Sequence, residues 1–107
     1  MLKDTINPTI DLYKRAAEIL GKVSFNLNIR SIDVGLTQMQ TEYGLRPCWA
    51  ILYQAEGVLI GSENYITQIT VITDPFIIDE ALLNALSAGC DLIRASRAQT
   101  MNGRIEK

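Results

Sequence analysis

The centre of the chain contains the sequence CWAILYQ, residues 48–54, in which apolar side chains occupy both alternating sets of positions. Successive residues of a strand point to opposite faces of a sheet, so a strand that is apolar on both faces is typically covered on both. The stretch therefore predicts a central strand. One face carries the bulkier residues Trp49, Ile51 and Tyr53, and the other carries Cys48, Ala50 and Leu52.

A helix is predicted upstream, from about Pro8 to Leu20. Asn7 suits the N-cap, Pro8 suits the first turn, and Gly21 suits the position just after the helix. Spacings of three and four predict a buried stripe of Ile10, Tyr13, Ala17 and Leu20. Opposite charges one turn apart predict the solvated side, with Asp11 and Arg15 as one pair and Lys14 and Glu18 as the other.

The segment between this helix and the central strand alternates with period two, which predicts a half-buried strand. Its apolar members are first Val23, Phe25, Leu27 and Ile29, and then, shifted by one position, Ile32, Val34 and Leu36. The shift requires either a bulge or a turn near Arg30-Ser31, and the sequence leaves both open. The run Gly44-Leu45-Arg46-Pro47 predicts a turn before the central strand.

The second half of the chain predicts a further strand and a second helix. A short apolar piece, Val58-Leu59-Ile60, precedes a stretch rich in β-branched residues from Tyr65 to Thr73. Asp74-Pro75 repeats the signature of a cap followed by proline and predicts the helix start. The expected buried stripe is Ile78, Leu82, Leu86, Cys90 and Ile93, and Ala85, Ala88 and Gly89 are small enough for close approach to another element. The tail after about residue 101 is expected to be frayed.

The order of these elements predicts an α+β fold, with three to four antiparallel strands between two helices that cover one face of the sheet. All 107 residues are expected to form a single domain. No apolar run of 18 or more residues is present, and Met1 to Pro8 lack a secretory signal, so we expect a cytoplasmic protein without a membrane segment. Cys48 and Cys90 are then expected to be buried free thiols.

The chain contains no histidine, which removes the serine and cysteine nucleophile systems that depend on one and the commonest near-neutral general base. We expect no catalytic residue, no metal and no cofactor, and hence a protein that is not an enzyme. A carboxylate-based enzyme using Glu56, Glu63 or Asp74 is the weakest alternative.

Arg46 is the centre of the most specific ligand hypothesis. Together with the aromatic residues Tyr43, Trp49 and Tyr65 it would form a pocket that stacks a base and holds a phosphate. Trp49 and Tyr53 have two interpretations: they either form an aromatic patch on an open sheet face, where a partner binds, or belong to the core.

Two other sets of polar residues have both a functional and a purely structural interpretation. Arg94 and Arg97 lie on neighbouring positions of one helical face, where they would contact phosphates or simply complement the helix dipole. The polar row Ser24, Asn26, Asn28 and Arg30 would bind a ligand or an added strand, or face solvent. A net charge of −2 disfavours general binding to nucleic acid.

From Pro47 onward, the order of apolar strand, turn, polar–apolar strand and long helix loosely resembles small phage tail-completion proteins. The resemblance covers half of the chain, contains no diagnostic motif and transfers no residue role. The leading hypothesis is a non-enzymatic interaction module that forms a homo-oligomer and captures a protein or small ligand through a sheet face or strand edge. The alternatives are a nucleotide- or nucleic-acid-binding protein and a phage-type assembly protein.

Overall fold

The computed structural model describes residues 7–56 and 65–105, with side chains as far as Arg97. Its elements are α1 (Pro8–Val23), β1 (Ile29–Thr41), β2 (Gly44–Glu56), β3 (Tyr65–Ile72) and α2 (Asp79–Ile105). The strands form one antiparallel sheet in the order β1-β2-β3, so the α+β class and the central position of β2 are confirmed. The apolar piece predicted at residues 58–60 lies outside the described residues.

Both helices pack against the face of the sheet that carries the odd-numbered residues of β2. Trp49, Ile51, Tyr53 and Ala55 are buried there in one cluster with residues of both helices. We call this the helix-side face and its opposite the open face. The open face carries Ser31, Asp33, Gly35, Thr37, Met39 and Thr41 of β1, Arg46, Cys48, Ala50, Leu52, Gln54 and Glu56 of β2, and Tyr65, Thr67, Ile69 and Val71 of β3.

The hairpin of β1 and β2 is longer than the rest of the sheet. β3 pairs with β2 only from Trp49 to Glu56, so residues 37–41 and 44–48 pair with each other alone. We call residues 37–48 the hairpin arm. Pro47 lies in this arm, where β2 has only one neighbour, which is a place where sheets tolerate proline. Because residues 44–47 pair with β1 as part of a strand, the turn predicted at Gly44–Pro47 is wrong.

The turn of the hairpin lies earlier, at Glu42-Tyr43. Gly44 follows it with a φ of +101°, a conformation that glycine adopts without steric cost. The Thr41 hydroxyl donates a hydrogen bond to the Gly44 carbonyl at 2.8 Å and accepts one from the Tyr43 N–H at 3.1 Å. Gly44 is next to a turn, as predicted, but it follows the turn, whereas the prediction places it at the turn's start.

Helix α1 is three residues longer than predicted and continues through Gly21 to Val23. The Asn7 side chain caps its start by accepting from the Thr9 N–H at 3.0 Å, as expected. At its end the left-handed residue is Asn26, with φ 67°, and not Gly21. The strand predicted from Val23 is therefore wrong as far as residue 28, because this stretch ends a helix and forms a turn.

The buried side of α1 also differs from the predicted stripe. The buried residues are Leu12, Ala16, Ile19 and Leu20, whereas Ile10 and Tyr13 are exposed. Both sets have helical spacing, so periodicity alone does not choose between them. The contact with α2 selects the first set, and it draws Arg15 inward.

Arg15 explains why α2 begins at Asp79 and not at Asp74-Pro75. Its guanidinium donates to the carbonyl oxygens of Pro75 and Ile77 and forms an ion pair with Asp79 at 2.8 Å. The Asp74 side chain accepts from the Phe76 N–H at 2.9 Å and so caps a turn. The helix start predicted at Asp74-Pro75 and the burial predicted for Ile78 are wrong.

The remainder of the predicted α2 stripe is correct, since Leu82, Leu86, Cys90 and Ile93 are all fully buried. Gly89 lies directly on the sheet, where a Cβ atom would overlap the Tyr53 hydroxyl. The phase shift near Arg30-Ser31 is a β-bulge between Ile29 and Ser31, which decides between the two alternatives. The frayed tail predicted after about residue 101 stays a prediction; the helix backbone extends to Ile105.

Candidate functional site

The structure brings Arg46 and Tyr43 together at the hairpin arm. Both line an open groove of about 500 Å³ at the end of the open face. The full lining is Met39, Thr41, Tyr43, Arg46, Pro47 and Thr73. Arg46 has no hydrogen-bond or ion-pair partner among the described residues, and Tyr43 is 77% exposed. Two of the four residues predicted for the ligand pocket are thus neighbours.

Trp49 does not reach this groove, because it belongs to the helix-side face. It is buried, and its indole N–H donates to the Thr9 hydroxyl of α1 at 3.1 Å. A buried indole usually finds such a partner. The structure therefore supports the interpretation of Trp49 as a core residue. Its placement on an open aromatic patch is wrong.

Tyr53 is likewise a core residue and is fully buried. Its hydroxyl shares a hydrogen bond of 2.8 Å with the Thr70 hydroxyl. Burial raises the pKa of Tyr53, and the bond to Thr70 opposes this shift only in part. Tyr53 is therefore a neutral phenol beneath α2 and does not present a surface to a partner.

Tyr65 lies at the opposite end of the sheet from the groove. It pairs with Glu56, ten positions along β2 from Arg46, which corresponds to roughly 33 Å at the rise of a strand. The Arg30 guanidinium lies 5.2 Å from the centre of the Tyr65 ring and 3.4 Å from a Glu56 carboxylate oxygen. The predicted pocket of four residues is therefore not assembled.

Arg94 and Arg97, the predicted phosphate contacts, bind the protein backbone. Arg94 donates to the carbonyls of Val23 and Phe25, each at 2.8 Å, and its guanidinium stacks on the Phe25 ring at 4.3 Å. Arg97 donates to the Asn26 carbonyl at 3.0 Å. These bonds satisfy carbonyl groups at and just after the end of α1, so both arginines hold the turn between α1 and β1.

The polar row predicted from Ser24 to Arg30 is not a strand face. Ser24 and Asn26 lie in that same turn, and Arg30 is the extra residue of the bulge. The row therefore offers no continuous edge to an added strand.

An open sheet face is one of the predicted binding surfaces, but the structure exposes on it residues other than Trp49 and Tyr53, which the sequence named for it. Ile69 and Val71 of β3 are 51% and 49% exposed, and Leu52 beside them is 36% exposed. Met39 extends the same surface into the hairpin arm. Apolar residues on both faces of residues 65–73 were the available signal. β3 is an edge strand with apolar residues on both faces. The helices cover one of these faces, and the other stays exposed.

The described residues offer no grouping for metal or nucleophilic chemistry. No cluster of three or more potential metal ligands occurs among them. Cys48 and Cys90 are free and buried, as predicted. Burial raises the pKa of the Cys90 thiol, which keeps it protonated and unreactive at neutral pH.

The two described carboxylates among those named for the enzyme alternative, Glu56 and Asp74, do not form a site. Glu56 pairs with Arg30, and Asp74 caps its own turn. Glu63 lies outside the described residues. Glu56 and Asp74 are separated by the length of β3. Each has its own structural role, in an ion pair and in a turn cap respectively.

No helix in the described part of the chain is long and apolar enough to cross a membrane. Among known proteins, no family model matches the chain, and no curated protein and no solved structure does so either. The candidate site is therefore defined by its own geometry: an exposed apolar sheet face that ends in a groove containing Arg46, which has no partner among the described residues.

Proposed function

We propose that this chain is a non-enzymatic interaction module that associates with copies of itself through the open face and captures a protein or small ligand. The supporting observation is the exposed apolar surface formed by Leu52, Ile69 and Val71 on the side of the sheet away from the helices. Exposed apolar surfaces that are contiguous and bordered by polar residues are typical of interaction sites.

The neighbours of this surface are also suited to an interface. Ser31, Gln54 and Thr67 form a polar border at one end. The Ser31 hydroxyl donates to the Gln54 amide oxygen at 3.3 Å, and the Gln54 amide N–H donates to the Thr67 hydroxyl at 3.1 Å. Interfaces commonly combine an apolar centre with a polar rim. A second sheet can pack on such a face at a separation of about 10 Å.

The proposal is tested by native mass spectrometry over a concentration series, comparing the wild type with Ile69→Lys. We expect an oligomer for the wild type and at least a tenfold weaker association for the variant, because a lysine there would be buried without a partner. Leu92→Lys is the matched control, since Leu92 is similarly exposed, at 58%, but lies on α2. A wild type that stays monomeric at every concentration contradicts the proposal.

A second candidate is a nucleotide-binding function of the groove. It is favoured by one observation, the shared lining of the groove by Arg46 and Tyr43, which supplies a cation for a phosphate and a ring for a base. Titration with adenosine and guanosine nucleotides tests it. Binding that weakens with salt and is lost in Arg46→Ala supports this function, and the absence of binding removes it.

An assembly role like that of phage tail-completion proteins is a more specific form of the main proposal. It would require self-association in the same way, followed by the capture of a second protein. The experiment on Ile69 therefore precedes any test of this role.

A further inference from the structure

The open face carries two opposite charges at the two ends of its apolar centre. Arg46 of β2 pairs with Met39 in the hairpin arm, and Asp33 of β1 pairs with Leu52 near the other end. Both side chains are exposed. A third charge on this face, Glu56 at its far end, is paired with Arg30 at 3.4 Å, so among the described residues of the face Asp33 and Arg46 are the charged ones without an ion-pair partner. Asp33 accepts from the neighbouring Val34 N–H at 3.0 Å, and Arg46 has no described partner.

The positions of the two charges are related by a simple symmetry. Consider a two-fold axis that lies parallel to the sheet, crosses the strands and passes between the levels of Cys48 and Ala50. Rotation about it stacks the open face of a second copy on the first, with β2 over β2. Arg46, three residues before the axis, then lies opposite Leu52 of the second copy, whose cross-strand partner is Asp33. Asp33 then lies one strand to the side, about 4.8 Å away laterally, which the long arginine side chain can span.

The β1 and β2 residues nearest this axis are small. Gly35 and Ala50 are cross-strand partners, and the exposed Val71 lies beside them on β3. A Cβ atom at Gly35 would meet nothing within 4 Å, so the space above it is open in the single chain. Small residues at the centre permit two sheets to approach closely, while Leu52, Ile69 and Met39 on either side supply the apolar contacts.

We infer that the occupant of the open face is a second copy of this chain, packed face to face about this two-fold axis with Arg46 of each copy paired with Asp33 of the other. The inference rests on the proposed function and specifies its interface. The face is self-complementary, because one cation and one anion exchange places under the rotation. A uniformly acidic or basic partner would leave one of the two charges without a counter-ion.

The test reverses the charges one at a time and then together. In Arg46→Asp, each aspartate would face Asp33 of the other copy, and in Asp33→Arg, each arginine would face Arg46. We expect both variants to raise the dimer dissociation constant at least tenfold by native mass spectrometry. The double variant R46D/D33R restores dimerisation, because the exchanged charges are again complementary.

Mixing the two single variants gives a sharper result. One variant then presents two acidic side chains and the other two basic ones, so both contacts of a mixed dimer are attractive. We expect a one-to-one heterodimer that forms more tightly than either homodimer. This rescue also shows that both single variants are folded.

Matched controls come from α1. Lys14→Asp and Glu18→Arg make the same charge reversals at exposed positions on the helix layer and should leave association unchanged. Gly35→Lys, which inserts a charge at the centre of the face, should abolish the dimer, whereas Gly21→Lys on α1 should not.

The outcomes separate this inference from the proposed function. A monomeric wild type overturns both. A wild-type oligomer that survives both charge reversals, or that the double variant and the mixture fail to rescue, overturns the two-fold arrangement and leaves self-association in place. A wild-type trimer overturns the two-fold arrangement as well.

Discussion

The two faces of β2 differ in environment far more than in composition. Ile51 on the helix-side face is completely buried, whereas its neighbour Leu52 on the open face is 36% exposed. Trp49 and Tyr53 bind hydroxyl partners beneath the helices, while Arg46 has no partner among the described residues. Apolar character therefore marks both faces, and the position of the helices decides which one is the core.

This difference gives each face its own sensitivity to substitution. The helix-side face contributes most of the apolar burial that stabilises the fold. On the open face Leu52, Ile69 and Val71 are between about a third and a half exposed, so their substitution should cost a single chain less stability. Substitutions at equivalent positions of the two faces measure the distinction directly.

The largest effect is expected from placing a charge on each face in turn. Ile51→Lys should unfold the domain, because burying an unpaired ammonium costs several kcal/mol against a total stability of about 5–15 kcal/mol. Leu52→Lys should lower the free energy of unfolding by less than about 1 kcal/mol in dilute solution. Circular dichroism and urea unfolding check both, and equal losses in the two variants would contradict the assignment of the faces.

A smaller effect is expected from adding one methyl group on each face. Gly89→Ala should destabilise the domain by about 1–3 kcal/mol, because the added Cβ atom overlaps the Tyr53 hydroxyl and forces α2 away from the sheet. Gly35→Ala on the open face meets nothing and should change stability by no more than about 0.5 kcal/mol. Thermal unfolding of both variants measures this pair. A loss at Gly35 that matches the loss at Gly89 would show that the open face is covered within the single chain.

The smallest effect concerns pH. Burial raises the pKa of both Tyr53 and Cys90, so the folded state favours their protonated forms. Their contribution to stability is fully present below about pH 8.5, the ordinary pKa of a cysteine, and is lost as the pH rises through the raised pKa values. Urea unfolding between pH 7 and 11 should show this decline, and the double variant Tyr53→Phe/Cys90→Ala should make it shallower. An unchanged slope would contradict the burial of both groups.

The sequence predicted the elements well wherever periodicity and burial agree. The central strand, the cap at Asn7 and the stripe from Leu82 to Ile93 follow from local patterns that tertiary contacts reinforce. The bulge was also foreseen as one of two alternatives, since a shift of phase in a half-buried strand allows few solutions.

The errors arise where long-range contacts override a local signal. Asp74-Pro75 is a favourable helix start, but Arg15, about 60 residues earlier in the chain, binds the carbonyls of Pro75 and Ile77 and fixes a turn there. Gly21 is a favourable helix end, but Arg94 and Asn26 place the end later. No local pattern contains these contacts.

The candidate site was predicted only in part for a similar reason. Arg46 and Tyr43 are close in sequence and lie on one hairpin, so their proximity was within reach of local reasoning. The assignment of Trp49 required knowing which face the helices cover. Alternation shows that a strand has two faces, but it does not say which one is buried.

The two helices hold each other through the connections that lead to them. Arg15 of α1 binds carbonyls in the segment before α2, and Arg94 of α2 binds carbonyls at and after the end of α1. If α1 detached, the segment before α2 would lose its hydrogen bonds to Arg15. If α2 detached, the end of α1 would lose its hydrogen bonds to Arg94. Amide hydrogens of the two helices should therefore exchange as one cooperative opening unit, and neither helix should act as an independently fraying element.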